Sequence, residues 1–421
     1  MEGLLEYCRG FESVYIYGAG EYGRVIRCFL EENRVTVKGF LISNKEKDTV
    51  EPFGVPVYDI NQYEERIRKY DGLVIAASSK YLKDITSKVT FLGISDYFTV
   101  DDHLFSQIRN EYEFKQDYPS QKNINVLVYH RVGYEGLDTR RLSITKKAFE
   151  KQLIYLKEKY SIIRSDEDWE KREEPAVVLT FDDGYCDFYS NVLPLLNKYH
   201  IPATVFITTG GIDEPQFELW GDRMERLLFY ANPGIDLFSF QEKEYSLSEE
   251  YRMSTLYSMR EILKNSDQKE RNNMLDELER ILEPTIGPRE SHRIMTGKEV
   301  QECAESPFVT IGAHTISHCC LSFEKEDIQE FEIQGSKERL EEITGRCVDV
   351  FAYPYGDYVD FSDQTIRIAS EVGFKKVFAA YPGKTSRDYT IGRIPRNNIS
   401  FLDDTLDLER NMRLIDIIYG Y

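Results

Sequence analysis

The chain has 421 residues, 41% of them hydrophobic and 30% charged, and a formal net charge of −20. That length is expected to form two domains, each with its own core, and the acidity argues against nucleic acid or an anionic membrane as partner. The seven cysteines (Cys8, Cys28, Cys186, Cys303, Cys319, Cys320, Cys347) are scattered without a C-x-x-C pair, which reads as reduced thiols. "MEGLLEYCRG" lacks a charged-then-apolar leader, and no apolar run reaches membrane-spanning length, so the expected compartment is the cytoplasm.

The first elements in chain order are the strand "SVYIYGAGEYG" and the helix "RVIRCFLEEN", followed by the strands "TVKGFLISN" and "DGLVIAAS". This alternation predicts an α/β, Rossmann-like domain over residues 1–108. Gly18, Gly20 and Gly23 form G-x-G-x-x-G between strand and helix, which permits a tight turn and close approach of a phosphate to the helix N-terminus. The alternative is that these glycines only let the helix pack on the sheet. A dinucleotide site ordinarily places an acidic residue about 20 positions on, to hold the ribose. Ser43 and Asn44 stand there instead, which disfavours a nicotinamide-dependent oxidoreductase.

The stretch "GAGEYGRVI…VKGFLISN…FGVPVYD" resembles the N-terminal domain of bacterial sugar O-acyltransferases. That resemblance implies a bound nucleotide-sugar rather than a redox cofactor.

Residues 109–124 are polar and nonperiodic and are predicted to be a linker. Seven strand candidates follow within 125–421: "NVLVYH", "AVVLTFD", "ATVFITT", "FVTIGAH", "DVFAYP", "KKVFAA" and "TIGRIPR" (390–396). Helical patterns separate most of them. This alternation predicts a parallel barrel-like fold, interrupted by a charged helical insertion at about 213–290.

Polar residues collect at the predicted strand ends. His130 ends the first strand, Asp182 and Asp183 the second, His314 the fourth, Tyr353 and Tyr355 the fifth, and Arg396 the seventh. In a parallel β/α barrel these positions share one rim, where active sites lie. His314 and His318, four apart in "HTISH", can face one cation; with one carboxylate they match a catalytic zinc site with an open position. A cation on Asp183 would offset its charge and let Asp182 remain an ionised base. A pair of surface or capping histidines is the alternative for "HTISH" taken alone.

"VLTFDDGYCDFYSNVLPLLNKYHIPATVFITTG", "IGAHTISH" and "VFAYPYG" resemble the polysaccharide deacetylases of carbohydrate esterase family 4, the NodB-homology domain. The resemblance implies a distorted (β/α)7 barrel and metal-dependent removal of an acetyl group from an N-acetylated saccharide, here a surface-polysaccharide precursor. It implies Asp182 as general base and Asp183, His314 and His318 as ligands of a divalent ion, zinc foremost, with cobalt or nickel as alternatives. It further implies that the Tyr185 backbone N–H holds the oxyanion and that Tyr353, Pro354 and Tyr355 wall the sugar groove.

Two departures from the family stand out. Where many members carry an arginine that tethers the base, this chain has Ala352, and Arg396 is the substitute expected. No histidine follows His318, so the usual C-terminal general acid is missing. "LVYHRV" resembles the poly-N-acetylglucosamine deacetylase branch, in which the acid comes from the first strand, and this points to His130; His292 is the alternative. A non-catalytic saccharide or nucleotide-sugar binding protein with a degenerate barrel, and an esterase removing O-acetyl groups, remain competing functions.

Overall fold

The structure is a computed structural model that describes residues 1–19, 21–42, 56–60, 71–77, 79–114, 124–169, 174–383, 385, 392–399, 408 and 412. Gly20, Ser43 and Asn44 lie outside the described residues. The chain divides into two compact units: Met1–Pro119 with Arg410–Tyr421, and Ser120–Glu409.

The first unit opens with helix α1 (Glu2–Arg9) and contains strands β1 (Ser13–Tyr17), β2 (Val37–Ile42), β3 (Val57–Asp59), β4 (Asp71–Ala76) and β5 (Phe98–Val100). They form a parallel sheet in the order β3-β2-β1-β4-β5, the doubly wound arrangement. Strand side chains alternate between its faces: Val14, Ile16, Val74 and Ala76 enter one apolar cluster, and Tyr15, Tyr17, Leu73 and Ile75 the other. Helices α2 (Glu21–Glu32), α3 (Ser79–Phe91) and α4 (Asp102–Phe114) accompany the sheet. Helix α4 runs into the predicted 109–124 linker, because Phe105 and Ile108 bury in the first cluster and anchor it.

The glycine turn has a steric explanation. Gly18 has φ +118°, and a Cβ on Gly23 would stand 1.7 Å from the Gly18 carbonyl oxygen. The missing side chain lets α2 seat against the end of β1, as the packing alternative requires.

The second unit is built on β6 (Ile124–Tyr129), β7 (Ala176–Phe181), β8 (Ala203–Ile207), β9 (Val309–Ala313), β10 (Val350–Ala352), β11 (Lys376–Phe378) and β12 (Asn397–Asn398). These seven parallel strands lie in the order β11-β10-β9-β8-β7-β6-β12. Ile394 bridges to Phe378 of β11, while Asn397 and Asn398 pair with Leu127 and Val128 of β6, so the last segment touches both edges of the curled sheet. The fold is the predicted distorted (β/α) barrel. Its last strand pairs at 394 and 397–398 rather than along 390–396. "INVLVY" and "AVVLTF" are buried at every position, as expected of strands covered on both faces.

Helices α5 (Lys146–Lys159) and α6 (Leu193–Tyr199) precede the insertion. The insertion is not purely helical. It comprises α7 (Trp220–Phe229), an antiparallel hairpin of Leu237–Phe240 and Lys243–Ser246, α8 (Arg252–Lys264) and α9 (Gln268–Leu282). Met224, Leu227, Phe240, Leu256, Met259 and Leu278 give it a core of its own. Helices α10 (Gly297–Glu305), α11 (Glu326–Thr344) and α12 (Asp363–Glu371) complete the unit.

Candidate active site

Strand register assembles the site. Tyr129 pairs with Phe181, so His130 and Asp182 leave neighbouring strands at the same level. Ile207 pairs with Ala313, which sets His314 beside Thr208. Beyond β7 the chain turns through two left-handed residues, Asp183 (φ +73°) and Gly184 (φ +80°). A Cβ at Gly184 would meet Ile207 Cγ2 at 2.8 Å, so this glycine lets the turn lie against β8. The 315–318 loop is held by Glu332 of α11, whose carboxylate accepts from Ile316 N, Ser317 N and Ser317 Oγ at 2.8–2.9 Å. His318 (φ +56°) is placed by its N–H donating to Thr315 Oγ1 at 3.0 Å.

Asp183, His314 and His318 converge, with one ligand atom of each within 4.8 Å of the others, and all three are buried. Asp183 Oδ1 lies 3.1 Å from His318 Nε2 and 3.6 Å from His314 Nε2. The partners of the opposite ring nitrogens set the tautomers. His314 Nδ1 is 2.8 Å from the Ala352 carbonyl oxygen, which only accepts, so Nδ1 carries the proton. Tyr355 Oη donates to the His318 carbonyl at 3.2 Å and accepts from Trp220 Nε1, leaving its oxygen to accept from His318 Nδ1 at 3.2 Å.

Both Nε2 lone pairs therefore face a carboxylate oxygen that has no hydrogen-bond donor. Three buried acceptors pointing at one another repel unless a cation lies between them, so the donor set fits a divalent metal. Burial lowers the pKa of His318, in keeping with a neutral imidazole, although Asp183 opposes the shift.

Arg396 is fully buried and grips Asp182 with both terminal nitrogens: Nη1 to Oδ1 at 2.6 Å and Nη2 to Oδ2 at 2.7 Å. Its Nε donates to the Ala379 carbonyl at 2.6 Å, which fixes the fork. Burial pushes the Asp182 carboxyl up, and Arg396, with His314 and His130, more than reverses this, so its pKa lies below normal. Ala352, in the place of the family's usual arginine, is fully buried and contributes its carbonyl to His314.

His130, Asp182, Asp183, His314, His318 and Tyr355 all line one cavity of about 360 Å³. Burial lowers the His130 pKa, with Asp183 and Asp182 opposing the shift. His292 does not line it; its ring is buried beside Tyr134 with Nδ1 3.0 Å from Ser291 Oγ, and burial lowers its pKa to about 3.

Of the three residues expected at the sugar wall, Tyr355 alone lines the cavity. Tyr353 is fully buried and stacks on Phe361 with ring centroids 4.1 Å apart, and Pro354 is buried beside it. The left-handed backbone at Tyr355 (φ +63°) turns its ring toward the cavity. The Tyr185 N–H makes no hydrogen bond among the described residues, while its hydroxyl donates to Asp222 Oδ2 at 2.6 Å.

Among the lining residues that sequence reasoning missed are Arg140, and Trp220, Arg260 and Lys264 from the insertion. The signal was the i, i+4 spacing of Arg260 and Lys264 on one face of a helix.

Residues 170–377 match the sequence model of the polysaccharide deacetylase family. YxkH of Bacillus subtilis (strain 168), named for the same family, is 21% identical over 65% of this chain and 71% of its own length. The poly-beta-1,6-N-acetyl-D-glucosamine N-deacetylase of Staphylococcus aureus (strain MSSA476) is 28% identical over 33% of this chain, and the match spans 53% of that enzyme. Among solved structures, the Streptococcus pyogenes deacetylase PplD in complex with acetate aligns over 70% of this chain and 99% of its own, at 19% identity and a TM-score of 0.45.

Proposed function

Residues 170–377 are a polysaccharide deacetylase domain, and on that premise we propose that this chain is a metal-dependent hydrolase that removes the acetyl group of an N-acetylated saccharide. The observation that carries this reading is the opposed acceptor set of Asp183, His314 and His318 beside a carboxylate held ionised by Arg396. A degenerate binding barrel has no need of either feature. The N-deacetylase activity named for the staphylococcal relative supports amide rather than ester cleavage. The free thiols support a reducing compartment and thus a precursor of a surface polysaccharide as substrate.

A divalent cation held by Asp183, His314 and His318 would supply Lewis acidity, polarising the acetyl carbonyl and lowering the pKa of water to about 7. Asp182 accepts the proton of the attacking water, which it can do because Arg396 keeps it charged. The free Tyr185 N–H donates to the oxygen on which negative charge develops. His130, on the same cavity wall, gives a proton to the departing nitrogen. For the first unit, the sheet order and the Gly18 turn support a nucleotide-sugar as ligand.

A screen of N-acetylated oligosaccharides and sugar nucleotides by mass spectrometry tests the reading. Loss of one acetyl mass, with acetate released in equal amount, is expected. No deacetylation by protein shown by elemental analysis to hold a divalent metal would reject it.

A further inference from the structure

Three cationic side chains, Arg140, Arg260 and Lys264, face the same cavity as Asp182 and Asp183. Two of them are already committed. Arg140 pairs with Asp222 and donates to Tyr185 Oη at 3.0 Å. Lys264 Nζ stands 2.5 Å from Asp360 Oδ1. The carboxylates are committed too, Asp182 to Arg396 and Asp183 to the cluster with His314 and His318 that fits a cation.

Arg260 has no such arrangement. Among the described residues no carboxylate forms an ion pair with it, and its Nη2 is shielded from solvent without an acceptor. Burial lowers its pKa, and the charge on Arg140 lowers it further. Arg260 is half-buried, and a guanidinium nitrogen shielded from water without an acceptor is costly to the fold. It sits four residues before Lys264 on α8, so the helix turns both cations to one side. In a chain of net charge −20, this local excess of positive charge runs against the composition.

We propose that Arg260 receives an anionic group of the substrate, so that the acetylated saccharide carries a carboxylate or a phosphate close to the acetamide that is cleaved. The proposal rests on the deacetylase reading and adds a substrate class to it. The planar guanidinium fork suits either anion in two-point contact. Lys264, one turn away, adds longer-range attraction. A cavity of about 360 Å³ is small for a ligand site, so the anion and the acetamide belong to the same sugar or to adjoining ones. Trp220 and Tyr355, which also line the cavity, offer it ring surface.

The test is calorimetry on the metal-loaded full chain with three probes: N-acetylglucosamine, its 1-phosphate and the corresponding N-acetylated uronate. At least one anion should bind about tenfold more tightly than the neutral sugar, and the two anionic arms distinguish phosphate from carboxylate. Arg260→Gln should bring the affinities together, and Arg260→Lys should restore part of the gap, which shows that the charge rather than the fold was lost. Equal affinities in the unmodified protein, failure of both anions to bind, or a preference that survives Arg260→Gln overturns the proposal. Acetate release is followed separately. Release without anion preference rejects this inference alone, whereas anion preference without release from any substrate rejects the deacetylase reading alone.

Discussion

Arg396 and Asp182 form a two-point ion pair across 214 positions of sequence, with both contacts between 2.6 and 2.7 Å. In the proposed mechanism Arg396 is a positioning residue: it touches Asp182 and has no need to touch substrate. Its loss leaves Asp182 buried without its counter-charge, with only His314 and His130 still favouring the ionised form.

For Arg396→Gln the sign follows from that balance. The Asp182 pKa is depressed in the folded protein, so the pair contributes stability above the ordinary carboxylate range and loses it as pH falls through the folded value. Removing Arg396 should raise that pKa and move the acid limb of the kcat/KM profile to higher pH. Breaking a buried pair typically costs about 3–5 kcal/mol, which urea denaturation at neutral pH should register. An acid limb that stays in place would show that Asp182 does not depend on Arg396 for its charge.

Metal removal separates the two adjacent carboxylates. Prolonged chelation should abolish acetate release, and zinc or cobalt should restore it. Asp183→Ala should lose metal and turnover together, whereas Asp182→Asn should keep metal and lose turnover, since the amide is close in shape but takes up no proton. Elemental analysis alongside an acetate assay reads both. Full activity in metal-free protein would remove the basis for the cation.

His130→Ala is tested through the leaving group. An amide nitrogen departs poorly unless protonated, so the variant should lose on the order of 10²–10⁴-fold on an N-acetyl sugar. It should lose much less on an activated aryl acetate, whose phenolate leaves without a proton. Equal losses on both substrates would assign His130 a structural part. His292 is a weak replacement, because it is buried off the cavity.

Gly23→Ala tests the first unit. The new Cβ would stand 1.7 Å from the Gly18 carbonyl oxygen, so backbone must move. Thermal unfolding of the first unit should shift to lower temperature, while the metal content of the second is unchanged. Calorimetry on the unmodified chain should detect a nucleotide-sugar and not a nicotinamide dinucleotide. Binding of neither leaves the glycines a packing role alone.

The barrel was legible because its strands are covered on both faces. "NVLVYH" and "AVVLTFD" read as continuous apolar runs that stop at a polar residue, and the stops are the site. The last strand was less so, since among the described residues of that segment only Ile394, Asn397 and Asn398 pair. The two tyrosines of "YPY" are alike in composition, and a left-handed φ at the second decides which ring faces the cavity. Nothing in residue type announces that at a non-glycine position. The cations of the insertion were hidden for another reason. Which face of α8 looks outward depends on the core formed by Leu256, Met259 and Leu263 with neighbouring helices, and periodicity alone does not reveal that partner.

The closure of the sheet by its final segment bears on how this protein comes into being. During synthesis, Asp182 and the histidines emerge well before Arg396. Until residue 396 leaves the ribosome, the carboxylate lacks the guanidinium that grips it in the finished fold. Bringing the two ends together closes a loop of more than two hundred residues, which makes this contact entropically late compared with local helices. On the proposed mechanism, a nascent or truncated chain ending before β12 can therefore bring Asp183, His314 and His318 together and still lack a fixed base. Hydrolytic competence would arrive only once β12 has joined the sheet.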